Sequence, residues 1–493
     1  MPRLRTVLYG PLFACVVALT ASAQSDVLVI KGGTIHAKPQ SPPIVADVLV
    51  DKGVIKTIGV DLSVPEGATV LDATGKHVFP SMIDAFNSGM IESSSARPGG
   101  VGPSDRVLDV YDAFGSDARL ALLRQGVGVV GMGFVSVRGP AAPIVSVAAS
   151  ATKPSVILDD AVVAIIAGAA QQGQGMGRAS AGGRAGLGKQ IEEALDGAKK
   201  YRESQEKYEK DLEEWKKKVE EWEKKKGSSE SKPQPAAPDT GASPRRPASP
   251  PEGFRDWPRE KQQEWIRENM RGAGGGARRG GGAESGPTSS AVTGGEKRPD
   301  PPEKPKRDPS KEALIRVNKG DAPLWVEAHW VSEIESVLDT VKSRKIRVVI
   351  VGATEAPRIL DRIKAEKAMV ALSDPTAGDP DDLDMLLHRE NLASVLSAAG
   401  VPIVVTSLGA RVNGIAGLPF IVSLHMGRGL SAEAALASVT TNAARALGLG
   451  RRLGTVEVGR DAQLLVTTGA LLDPATKITS VVAGSKAFDP EGK

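Results

Sequence analysis

The sequence predicts an α/β chain in which a small β domain, built from both chain ends, frames a middle of alternating strands and helices. Three observations carry this expectation. Short period-two runs rich in β-branched residues fill 26–73 and return near the C-terminus. Strand-like and helical stretches alternate from Leu324 onward, the signature of a parallel sheet with crossover helices. Between 186 and 309 the composition shifts first to Lys/Glu-dense helix and then to Gly, Pro and Ser.

The first residues read as an export signal, 1–23. Arg3 and Arg5 form a basic start, Val7 to Leu19 an apolar stretch, and Ala21-Ser22-Ala23 a small-x-small cleavage site, so the mature chain is expected to begin near Gln24. Gly10 and Pro11 interrupt the apolar stretch, which is shorter than the roughly 20 residues a span requires. The mature chain is therefore expected to hold no membrane span. The single cysteine, Cys15, lies within the signal, which excludes disulfide and thiolate chemistry from the mature protein. Leu12-Phe13-Ala14-Cys15 fits a lipoprotein box poorly because Phe13 is bulky. With 63 Lys+Arg against 59 Asp+Glu, the net charge of +4 builds no basic field, so nucleic acid is not an expected partner.

Strands are expected at Val27 to Ile30, Ala46 to Val50 and Val54 to Ile58, with Asp51-Lys52-Gly53 closing a hairpin. Gly454 to Val458, Gln463 to Thr467 and Ile478 to Val482 repeat the style at the other end. In the middle, strand-like runs at Val127 to Val130, Pro143 to Val147 and Ala161 to Ile166 alternate with Gly or Pro breakers. Further strands are expected at Trp325 to His329, Ile346 to Val351, Ala368 to Leu372 and Pro402 to Thr406. Helices are expected at Val331 to Val341, Glu355 to Ala365, Leu386 to Ala399, Ile415 to Met426 and Ala432 to Leu447.

Ile191 to Lys226 carries heptads, with Tyr201, Tyr208, Trp215 and Trp222 at one seam position and Leu212 and Val219 at the other. This predicts an amphipathic arm that either meets a partner or packs on its own barrel. Residues 227–309 are expected to be disordered, with Trp257 to Met270 as a short amphipathic patch inside them and Gly272 to Gly282 as linker. Gly183 to Lys189 has the glycine spacing of a phosphate loop but is followed by Gln190, where a hydroxyl is needed.

Pro80-Ser81-Met82-Ile83-Asp84-Ala85-Phe86-Asn87-Ser88 resembles the first barrel strand of the amidohydrolase superfamily. Leu430 to Leu436, Thr441 to Leu449 and Leu453 to Ala462 resemble that superfamily's closing helix and its return to the β domain, in the register of imidazolonepropionase-like metal-dependent hydrolases. The resemblance implies a distorted (β/α)8 TIM-like barrel over 77–185 and 310–452. It also implies a composite β-sandwich over 24–76 and 453–493, a helical arm at 186–226 and the insertion 227–309.

In that superfamily the metal is held at the carboxyl ends of the strands by His-x-His on the first, often a Lys on the fourth, His on the fifth and sixth, and Asp on the eighth. Here Phe86 and Ser88 stand at the His-x-His positions and His329 matches the fifth-strand ligand. Val349 to Glu355 holds no His, Ser407 or Leu408 replaces the eighth-strand Asp, and no fourth-strand Lys is assignable. A hydrolytic metal needs about three protein ligands, so the metal site is expected to be lost, with no cofactor. His36, His77, His388 and His425 fall away from the strand ends. An oxygen-only set of Asp84, Glu92, Glu355 and Asp374 is conceivable for Mg or Ca, although their spacing does not select it.

The pocket candidates are His329, Asn87, Asp84, Glu355 and Ser407. The expectation is an exported pseudoenzyme that binds an unknown small molecule in the barrel and pairs with itself or with a related amidohydrolase. The alternative is an active hydrolase of non-peptide carbon–nitrogen bonds with a non-standard site. A third reading makes the arm and tail the functional part and the barrel their scaffold.

Overall fold

A computed structural model describes residues 26–87, 116–132, 139–146, 155–165, 186–229, 298–375, 391–407 and 417–491. The signal segment, the Gly183 to Lys189 loop up to residue 185, His388 and the Trp257 to Met270 patch lie outside the described residues. The chain divides into two units, Met1–Gln205 with Pro305–Lys493, and Glu206–Lys304.

In the first unit, one sheet joins the two chain ends. Its strands are β1 (Val27–Ile35), β2 (Ile44–Asp51), β3 (Val54–Gly59), β4 (Thr69–Asp72) and β5 (His77–Pro80). To these are added β14 (Gln463–Thr467), β15 (Ile478–Ala483) and β16 (Lys486–Phe488), and the ladder order is β16-β15-β14-β5-β1-β2-β3, with β4 also on β1. β5 pairs antiparallel with β14 and parallel with β1, so it is the strip that welds the ends together. The expected boundary after residue 76 therefore moves to Ser81, whose N–H bonds to Gln463 O. All eight strands are joined through one continuous hydrogen-bonded ladder. A bulge between Ile30 and Gly33 lets successive parts of β1 pair with β4 and β5 along one edge. Alternating residues such as Leu28, Ile30, Val48, Val50, Leu464 and Val466 supply its core.

The second sheet contains β6 (Met82–Asn87), β7 (Val127–Met132), β8 (Gly139–Ser146), β9 (Ser155–Ile165), β10 (Leu324–Ala328), β11 (Val348–Gly352), β12 (Met369–Leu372) and β13 (Ile403–Val405). They neighbour one another in chain order. β9 to β13 are parallel, as the strand-helix alternation requires, whereas β8 runs antiparallel to both β7 and β9. β6 and β13 are the two edges, and no ladder joins them among the described residues, so the closed barrel implied by the resemblance is reduced to a mixed α/β sheet.

One face of this sheet packs on helices. These are α1 (Ser116–Arg124), α2 (Leu187–Ser229), α3 (Pro309–Asn318), α4 (Val331–Arg344), α5 (Leu360–Ala365), α6 (Leu392–Ala398), α7 (Leu418–Gly427) and α8 (Ala432–Val439), while α9 (Thr441–Ala446) packs on the other face. Leu324, Val326, Val348, Ile350, Val370, Ile403 and Val405 point into that layer, where each fully buried aliphatic side chain contributes about 1.5–3 kcal/mol. The alternate residues Trp325, Val349, Met369, Ala371 and Val404 form a second cluster with Ala443, Ala446, Leu447 and Leu453. Trp325 anchors that cluster by donating its indole N–H to Ala446 O at 3.0 Å.

Several element bounds differ from expectation for local reasons. The helix expected over Ala432 to Leu447 breaks at Thr440 (φ −127°, ψ −91°) into α8 and α9. The helix expected from Glu355 starts as a 3-10 turn, Ala356–Arg358, and breaks at Ile359 (φ −136°, ψ 32°) before Leu360–Ala365. Of the stretch 227–309 expected to be disordered, residues 230–297 lie outside the described residues. Residues 227–229 end α2, 298–308 form neither helix nor strand, and α3 begins at Pro309. Pro at the first turn and the Asp308 carboxylate accepting the Lys311 N–H start α3, and Ala313, Leu314 and Val317 are its buried side chains. Tyr201 serves this turn: its hydroxyl accepts the Asp308 N–H at 3.2 Å, and Lys311 lies over its ring.

The second unit contains the remainder of α2 and residues 298–304. Trp215 donates its indole N–H to Pro299 O at 2.9 Å.

Candidate functional site

The carboxyl ends of the parallel strands carry a polar group of side chains on the face opposite the helices. Strand alternation places Trp325, Glu327 and His329 on one side of β10, the first buried and the other two half-buried. His329 is fixed on all sides. Its N–H donates to Glu333 Oε2 at 2.9 Å, its Nδ1 lies 2.8 Å from Thr354 Oγ1, and its Nε2 is 3.6 Å from Glu327 Oε1. The carboxylate beside Nε2 favours the tautomer protonated there, with Thr354 donating to Nδ1. Gly352 makes room for the ring: a Cβ at this position would sit 2.2 Å from His329 Cε1, and its φ is +86°. Ala353 follows at φ +48°, a conformation that costs a non-glycine residue about 1–3 kcal/mol.

A second knot joins β6 to the end of β13. Thr406 Oγ1 accepts the Phe86 N–H at 2.9 Å and lies 2.7 Å from both Asp84 Oδ1 and Phe86 O. Ser407 N–H donates to Asp84 Oδ1 at 3.0 Å and Asn87 donates to Asp84 Oδ2 at 2.8 Å. Asp84 and Thr406 are buried, so these bonds replace the water that the carboxylate gives up. Phe86, buried at 3%, faces Trp325 with ring centroids 6.1 Å apart.

The five residues singled out from the sequence thus fall into two groups. Asp84, Asn87 and Ser407 belong to the β6–β13 knot. His329 stands at the end of β10. Glu355 follows β11, where its carboxylate accepts the Val331 N–H at 3.0 Å and pairs with Arg358 at 2.8 Å, so it fastens the start of α4. Glu327, Thr354 and Thr406 were missed. Only Glu327 had a sequence signal, its two-residue spacing from His329.

The remaining histidines are placed elsewhere. His425, on α7, bonds to Ser373 O at 2.8 Å. His36 and His77 meet in the composite sheet, Nε2 to Nδ1 at 2.9 Å, with His36 stacked on Phe79. Burial, and then the neighbouring His77, lower the His36 pKa below the usual histidine value.

Among the described residues at the strand ends, the donor set falls short of the three protein ligands that a hydrolytic metal needs. His329 and Glu327 are the only adjoining ligand types, and no three His, Cys, Asp or Glu gather at one point among the described residues. β9 contains no lysine over Ser155–Ile165. In the oxygen-only set, Glu92 lies outside the described residues, and the carboxylates of Asp84 and Glu355 are engaged as above.

Fold and site together define an α/β protein with a sheet domain shared by both chain ends and a polar cluster at the carboxyl ends of parallel strands. Residues 339–491 match the Amidohydrolase family. The chain is 46% identical over 57 residues to the dihydroorotase of Geobacter sulfurreducens, and 39% identical over 75 residues to the imidazolonepropionase of Thermoplasma volcanium. These alignments span 12% and 15% of this chain, and 13% and 19% of those proteins. The crystal structure of an amidohydrolase from Thermotoga maritima MSB8 shares the fold at a TM-score of 0.61 and 18% identity, over 94% of this chain and 100% of that one. The chain is thus similar to amidohydrolases in sequence over its C-terminal part and shares its fold with one over most of its length.

Among the described residues no helix is long and apolar enough to cross a membrane.

Proposed function

We propose that this is an exported, non-catalytic member of the superfamily, which binds a small molecule at the carboxyl ends of a distorted, barrel-like sheet. The observation that carries the reading is Phe86. Where relatives of this kind place a metal-binding imidazole, a phenyl ring packs against Trp325 inside an apolar cluster. A phenyl ring donates no lone pair to a metal, so the step of lowering the pKa of a bound water has no support at this strand. The Asp84–Thr406–Ser407 knot supports the barrel-like part of the proposal, since it draws the two edge strands together without a ladder. Glu327 and His329 are half-buried at the rim and offer an acceptor and a donor to a ligand. Export is proposed from the signal segment alone.

A second reading, a hydrolase of non-peptide carbon–nitrogen bonds with a non-standard site, is favoured by the Thr354–His329–Glu327 contacts, which order a hydroxyl, a base and a carboxylate in a row. One experiment separates the two. The mature protein is incubated with amides, lactams and imidazolone rings, with and without chelator, while binding of the same compounds is followed by calorimetry. Binding without turnover, weakened in His329→Ala, supports the first reading. Turnover above background that disappears in His329→Ala overturns it.

A further inference from the structure

Asp84, Glu333 and Glu355, near the ends of β6, β10 and β11, are each fastened by hydrogen bonds. Asp84 accepts from the Thr406 hydroxyl, the Ser407 N–H and Asn87, Glu333 accepts the His329 and Trp330 N–H groups, and Glu355 accepts the Val331 N–H and pairs with Arg358. Glu327 differs from all of these. Among the described residues its polar contact is His329 Nε2, 3.6 Å away and beyond hydrogen-bond reach, and its side chain is 26% exposed. A carboxylate that has given up most of its water and gained no donor is short of a partner. The imidazole beside it is also incompletely used. Its backbone N–H and Nδ1 are engaged, and Gly352 leaves the space that the ring occupies, so the ring is held with Nε2 toward Glu327. Two polar groups are thus set side by side with bonding capacity left over, as preorganised binding sites are.

We propose that the ligand of this site is a small organic cation, an amidinium or a protonated amine, whose N–H groups bridge Glu327 and His329 Nε2. This rests on the reading that the strand ends bind a small molecule, and it names the chemistry of that molecule. Thr354 Oγ1 can accept as well as donate, so the ring proton can be carried on Nδ1 and bonded to Thr354, which leaves a lone pair on Nε2. Carboxylate and imidazole then both accept, and a cation with several N–H groups satisfies both with charge-assisted bonds. Binding moves the ring proton from Nε2 to Nδ1 by exchange with solvent, so the number of protons on the protein does not change. An amidinium suits the arrangement best, because its N–H groups diverge in one plane toward neighbouring acceptors.

The test is calorimetric titration of the full mature chain with benzamidine, benzamide and benzoate, probes of one shape that carry a cation, no charge and an anion. Benzamidine is expected to bind about tenfold more tightly than the other two, the scale of a hydrogen bond to a charged group. Glu327→Gln is expected to lose about tenfold in benzamidine affinity and to leave benzamide binding unchanged, a contrast that a merely structural role does not give. The ring-nitrogen resonances of His329 are expected to show the proton on Nε2 in the free protein and on Nδ1 with benzamidine bound. The wild-type affinities and these resonances keep the proposal testable if Glu327→Gln folds poorly. If benzamide, benzoate or the lactam and imidazolone compounds bind and benzamidine binds no better, this inference is overturned while the proposed function stands. Benzamidine affinity that is unchanged in Glu327→Gln overturns it as well. Absence of binding by every compound overturns both.

Discussion

Thr406 is a small residue with a large structural task. Its hydroxyl touches both Asp84 and the Phe86 backbone, and all three residues are buried. Thr406→Val keeps the shape and removes the oxygen, taking the side-chain partner from the Phe86 N–H and leaving Asp84 Oδ1 with the Ser407 N–H alone. The expected loss is about 2–3 kcal/mol in urea unfolding. Gly352→Ala tests the other knot. The added Cβ collides with the His329 ring and sits at a φ of +86°, so about 1–3 kcal/mol and the position of the ring should both be lost, the latter read from the His329 ring resonances. His36 gives a pH signature. Its folded pKa is lowered, first by burial and then by His77, so on acidification the unfolded chain takes up the proton first. Stability is therefore complete above the ordinary histidine pKa and is withdrawn as the pH falls through the lower folded value. Melting temperature followed from pH 7.5 downward should fall across that window in the wild type and less in His36→Gln. Of these residues, Asp84, Asn87, Ser407 and His329 were legible because a motif fixes their place on a strand end. Thr354 and Thr406 were not, since a hydroxyl acquires a role only when another strand brings it a partner.

At the scale of elements, alternation and breakers located nearly every strand, because period-two and period-3.6 patterns are imposed by burial on one face. What they could not locate was direction and partnership. β8 reads like its parallel neighbours yet runs antiparallel to both, and β5 reads as the start of the barrel yet pairs with β1 and β14. Ladder partners depend on residues hundreds of positions away, which no local window contains. α3 escaped notice for a different reason: its short apolar side adjoins a Gly- and Pro-rich stretch, and only capping by Asp308 and the Tyr201 contact single it out. A proteolysis prediction belongs here. Trypsin under mild conditions should cut between residues 230 and 297, where Arg and Lys are frequent among Gly, Pro and Ser. The two fragments should stay together on a sizing column, because β9 lies before the cut and pairs in parallel with β10 after it. Separation of the fragments without denaturant would show that this pairing does not hold the halves.

At the scale of the whole molecule, the proposed function holds that an amidohydrolase-like scaffold is kept while side chains at the strand ends serve packing. Phe86 joins the Trp325 cluster, Thr406 and Ser407 hold Asp84, and Thr354 holds His329. On that proposal these contacts hold the strand ends together without a metal, so folding should not depend on one. The expected outcome is a protein that, purified without chelator, contains no stoichiometric zinc or iron, and whose melting temperature is unchanged by chelation. The reasoning is the donor count: one imidazole, His329, with Glu327 beside it, against the three protein ligands a catalytic zinc requires. A bound metal would also add its binding free energy to stability, about 2.7 kcal/mol at a hundredfold excess over Kd, and its removal would lower the melting point. Elemental analysis beside calorimetric melts with and without chelator decides the matter. Near-unit occupancy by a transition metal that is lost in His329→Ala, together with a chelator-induced drop in melting temperature, would mean that a residue outside the described segments completes the site.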